Sequence, residues 1–83
     1  MTTTMATRAE ALFASWVQGS QMPSVDQIRT AVAETLSRLG VGGCAARMAE
    51  EYGEHPTEAA RRMIWVLAAL RAAFPEGESA AQA

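Results

Sequence analysis

The chain has 83 residues and a mass of 8.8 kDa, enough for one folding unit and too little for two independent cores. Hydrophobic residues at 49% against charged residues at 19% exclude a disordered chain, and a formal net charge of -2 excludes an overall attraction to nucleic acid or anionic membrane. The single cysteine, Cys44, excludes an internal disulfide and fits a reducing cytoplasm, which is the expected location.

The N-terminus carries no signal-peptide pattern, and the longest apolar run, Met63 to Leu70, is flanked by Arg61, Arg62 and Arg71 and is too short to cross a bilayer. No membrane association is expected. The domain is expected to cover residues 7–74, with residues 1–6 a flexible lead and 75–83 a flexible tail.

Four segments place apolar residues at helical spacing, separated by glycine or proline, and predict an all-α, compact four-helix domain. The first runs from about Thr7 to Gln18, with Ala9, Leu12, Phe13, Trp16 and Val17 inward, a Thr7–Glu10 capping box at its start and Gly19 as its stop. A second opens on the Ser24–Gln27 capping box and runs to about Leu39, burying Val25, Ile28, Val32, Leu36 and Leu39 before Gly40. A short third, from about Cys44 to Tyr52, turns Cys44, Ala45, Met48 and Tyr52 inward and closes at Gly53. The fourth starts at Pro56 and ends before Pro75. Its stretch Met63 to Leu70 is apolar on every side, which predicts the central helix wrapped by the others.

Chemistry is sparse. Catalysis by nucleophile and base would need Cys44 or a serine near His55, and with one histidine, one cysteine and one aspartate, Asp26, the supply of groups is very thin, so no catalytic residue, metal or cofactor is expected. Cys44 on an inner helix face reads as a small inert hydrophobe, and His55 as a turn residue whose ring caps the next helix. Glu50, Glu51, Glu54 and Glu58 read as a wet helix face, with Glu34–Arg38, Arg47–Glu51 and Glu58–Arg62 at ion-pairing spacing.

The segment from Ala45 to Met63 resembles a helix-turn-helix. Ala49 stands four residues before Gly53, the place where that family uses a small residue to let two helices cross, while Met48, Tyr52 and Ala59 take its apolar places. Glu54 departs from the pattern at an apolar turn position, and Arg62 departs where a hydrophobe usually turns inward. The resemblance implies that the helix from Pro56 is a recognition helix, with Thr57 holding a phosphate oxygen and Arg61 and Arg62 contacting duplex DNA, as a dimer. A competing reading comes from Trp65, which falls on the side of Arg61, Arg62, Ala69 and Ala72. With Met63 it could anchor a second copy of the chain or another helical protein, or pack beneath the first helix against Trp16 or Phe13. The function expected is thus a small non-enzymatic binding module, with dimeric DNA binding through the helix-turn-helix slightly ahead of a helical protein-protein adaptor or homodimeric structural domain.

Overall fold

A computed structural model describes residues 4–75, and the described residues contain helix and turn but no strand. The elements are α1, Met5–Ala14; a short 3₁₀ turn, Gly19–Gln21; α2, Val25–Glu54; and α3, Pro56–Ala73. Thr4 caps α1 and Met5 and Ala6 lie inside it, so the helix begins two residues ahead of the expected domain start at Thr7. Residues 1–3 and 76–83, expected to be flexible, lie outside the described residues.

Local chemistry explains most boundaries. Thr4, not Thr7, starts α1: the Thr4 hydroxyl accepts the Thr7 amide proton at 3.1 Å, a cap one turn earlier than the Thr7–Glu10 pattern suggested. At α2 the expected capping box forms in full, with the Gln27 amide donating to the Ser24 hydroxyl at 3.1 Å and the Ser24 amide to Gln27 Oε1 at 2.7 Å. Pro56 occupies the first turn of α3, where a missing amide proton is harmless.

Three helices, rather than four, make up the described chain, since the expected second and third are parts of one long α2 bent at Gly40. Gly40 has φ 72 and ψ 169, a conformation open to glycine and strained for any other residue, so the chain changes direction there without leaving the helix for long. Gly53 does not end its helix. A helix-interior glycine costs only about 1 kcal/mol, which surrounding packing can offset, and the junction falls on His55 alone.

The centre of the molecule is α1, which corrects the expectation that the last helix is wrapped by the rest. Residues Ala11 to Ser15 are buried one after another, which requires cover on every side of the helix. Ala9, Ala11 and Ala14 let the neighbouring backbones come close, while Leu12 and Phe13 fill the space between α2 and α3. From α2 the core takes Ile28, Ala31, Val32 and Cys44, and from α3 it takes Ala59, Val66, Leu70 and Ala73. On α3 this is one face only, and Ile64 is 72% exposed on the opposite side. Phe13 stacks on Tyr52 with ring centroids 5.7 Å apart, so the expected inward role of Tyr52 becomes a rim contact that leaves the residue 37% exposed.

Two glycine substitutions separate the bend from ordinary helix propensity. Gly40→Ala should destabilise the protein by about 1–3 kcal/mol, because a Cβ there has room but the backbone conformation forbids it. Gly42→Ala, in regular helix with nothing near its added Cβ, should stabilise by about 0.5–1 kcal/mol. Urea unfolding followed by circular dichroism checks both, and shifts of the same sign would refute the bend.

Candidate functional site

The positions expected to act lie on α3, and their surroundings differ sharply. Thr57 and Arg61 are exposed near its start, beside Glu54, His55 and Glu58. Arg62, expected on the same outer face, is half-buried and turned toward α1. Its Nε donates to the Phe13 carbonyl at 2.9 Å, and its Nη2 donates to the carbonyls of Leu12 at 3.2 Å and Ser15 at 3.0 Å. The planar guanidinium fork matches this cluster, and its positive charge sits at the negative end of α1. Removal from water pushes the Arg62 pKa down, while the nearby Glu51 carboxylate opposes that shift. The expectation that Arg62 is free to contact DNA is therefore corrected: it is committed to the fold.

The same contacts explain Trp16. Because α1 stops at Ala14 rather than near Gln18, the helical stripe that placed Trp16 inward does not continue to it. The Ser15 amide and hydroxyl both return to the Leu12 carbonyl, at 3.2 and 2.6 Å, and the chain then leads Val17 into the core. Trp16 is left 64% exposed.

Trp65 and Met63, the expected partner contacts, are half-buried and pack against the core. Trp65 lies on the backbone of Gly19, where an added Cβ would come within 2.8 Å of the indole nitrogen, and the Arg62 guanidinium lies 5.6 Å from its ring centre. Glycine is needed at position 19 for this approach, not as the stop of α1. The outer side of Trp65 forms one wall of a shallow depression with Met22, Val25, Ala69 and Ala72. Met22 is 87% exposed there.

Ile64 and Leu67 were missed as surface residues because the apolar run was read as central. A usable signal was present: Ile64 falls on the side of Ala60, Arg61 and Ala68, opposite Ala59 and Val66. The surface thus has an apolar ridge, Ile64, Ala68 and Ala72, leading into the Trp65 depression, with Arg61 and Arg71 exposed at either end.

The remaining groups are quiet. His55 makes no side-chain cap, contrary to expectation, and among the described residues its imidazole lies at ion-pair distance from Glu54 alone, at 4.0 Å. Among the described residues none of the expected helix-face ion pairs closes, and no three histidine, cysteine or acidic side chains gather to hold a metal ion. Cys44 is fully buried, and burial, reinforced by Glu10, pushes its thiol pKa up. No helix among the described residues is long and apolar enough to cross a membrane. Comparisons of the chain with protein-family models, with curated proteins and with solved structures give no match.

Arg62→Ala should lower stability by about 2–4 kcal/mol by stripping the Phe13 and Ser15 carbonyls of their donor while Leu12 keeps its bonds from Ser15, and Arg62→Lys should recover only part, since an ammonium lacks the fork. Arg61→Ala should change stability by less than about 0.5 kcal/mol. Equal effects at the two arginines in denaturant titrations would contradict this division. For Cys44, iodoacetamide should react with the native protein far more slowly than with the unfolded chain. Stability should also fall as pH rises past 9.0, because the unfolded thiol ionises there while the folded thiol, with its raised pKa, stays protonated.

Proposed function

We propose that the protein is a non-enzymatic helical interaction module that binds a partner helix across the ridge and depression on the outer side of α3. The observation that carries this reading is the continuity of apolar surface from Ile64 through Ala68 and Ala72 to Trp65, Met22 and Val25, two of whose members are more than two-thirds exposed, Ile64 at 72% and Met22 at 87%. Half-buried Trp65, held by Gly19 and Arg62, is a rigid anchor of the kind that dominates binding energy at interfaces. No acidic residue occurs in α3 after Glu58, and Arg61 and Arg71 flank the apolar strip, so the favoured partner is an amphipathic helix with carboxylates beside its apolar anchors.

The helix-turn-helix resemblance supports a second reading, DNA binding, through Thr57 and Arg61, both exposed at the start of α3. That reading has lost Arg62 to α1, and Glu54 and Glu58 repel phosphate from the same helix end. We therefore rank it second.

Selection from a displayed library of amphipathic helical peptides separates the two. Acid-flanked peptides with apolar anchors at i, i+3 or i+4, and i+7 should be enriched, and Ile64→Glu should weaken their binding at least about tenfold without unfolding the protein. Failure to enrich any helix, together with retention on duplex DNA at low salt that Arg61→Ala abolishes, would replace this proposal with the nucleic-acid one.

A further inference from the structure

On another side of the molecule, the segment after α1 and the first turns of α2 enclose a groove of about 540 Å³. Trp16 and Val17 form one wall, and Asp26, Thr30 and Glu34, spaced one helical turn apart, form the other. Pro23 closes the end between them. None of the arginines lines it, and neither carboxylate forms an ion pair with any described residue. The groove therefore joins an exposed indole face to two uncompensated negative charges.

We propose that this groove binds an elongated organic cation, an aliphatic chain with amino groups at both ends. Asp26 and Glu34 lie about 12 Å apart along the helix, at about 1.5 Å per residue, too far to share one metal ion or one ammonium. Two cationic centres joined by an apolar span satisfy both carboxylates at once, and the span lies against Trp16 and Val17. The indole contributes twice, as apolar cover for the methylene chain and as a π face for an ammonium group. Trp16 stands outside the core because α1 ends at Ala14, ahead of it, which leaves the indole exposed at the groove. Thr30 stands midway between the carboxylates, where its hydroxyl can accept from a secondary amine of a longer chain. The proposal does not depend on the partner surface of α3, which shares only Pro23 with the groove.

Titration calorimetry at low ionic strength with spermidine and spermine tests the site, with n-butylamine and magnesium ion as probes of one amino group and of charge alone. Both polyamines should bind saturably at one site and change the tryptophan fluorescence. Butylamine and magnesium should bind at least about tenfold more weakly. Asp26→Asn and Glu34→Gln should each weaken spermine by about tenfold, the size of one charge-assisted contact, whereas Glu50→Gln should leave it unchanged. Trp16→Leu should remove the fluorescence response and weaken binding. Asp26 also lies in the first turn of α2, so should its variant unfold by circular dichroism, the mid-helix Glu34→Gln decides the matter. The proposal is overturned by the absence of saturable heat, by magnesium matching spermine, by indifference to Glu34→Gln, or by a two-arginine peptide binding where the polyamines do not.

Discussion

The carbonyls at the end of α1 run out of donors in their own helix, and Arg62 reaches those of Leu12, Phe13 and the cap residue Ser15 from α3 with three hydrogen bonds, Leu12 accepting also from Ser15. This contact ties the central helix to the last one at the point where α1 must stop for the chain to turn. It also holds the surroundings in place: the same guanidinium lies 5.6 Å from both the Phe13 and Trp65 ring centres, so the aromatic contacts at both ends of its plane are set by one side chain. A lysine could supply the charge but not the forked set of donors.

The other end of the bundle uses the same chemistry. Arg29 of α2 donates from Nε to the Ala73 carbonyl at 2.8 Å, closing the C-terminus of α3, and its guanidinium lies 5.2 Å from the Phe74 ring centre. Arg8 of α1 approaches the same ring at 4.1 Å. One aromatic residue just past α3 is thus gripped by cations from both other helices. In a chain with little core to spare, helix ends that are satisfied across elements do the work that longer apolar faces do in larger domains. The arginines that remain outside these contacts, Arg38, Arg47, Arg61 and Arg71, are exposed and free to define the character of the surface.

What could be read from sequence was the chemistry that acts within a few residues. The Ser24–Gln27 box, Pro56 at the start of α3 and the break at Gly40 were visible because each depends on its own neighbours. Helical class followed from apolar spacing in the same way. What could not be read was set across the fold. Trp16 continues a good helical stripe, and only the competing bonds from Ser15 and Arg62 end that helix before reaching it. Arg62 reads as a surface cation until its carbonyl partners, nearly fifty positions earlier, are known. The central helix was misassigned because apolar content was taken as the guide to burial, whereas alanine at close-contact positions let α1 take the middle. The Trp65 surface was half legible: its side of α3 was read correctly, but the neighbouring Met22 and Val25 come from a loop and a helix start that periodicity does not place.

The sequence distance of the Arg62 contacts has a consequence for how the molecule assembles. Phe13 and Arg62 are 49 positions apart, so no local step of folding can form the bond between them. Helix α2 and α3, joined through a single residue, can meet after a small loss of chain entropy, while α1 must be brought back over the whole length of α2 before its end is capped. Closing the domain therefore requires the end of α1 and the first half of α3 to meet across the whole of α2.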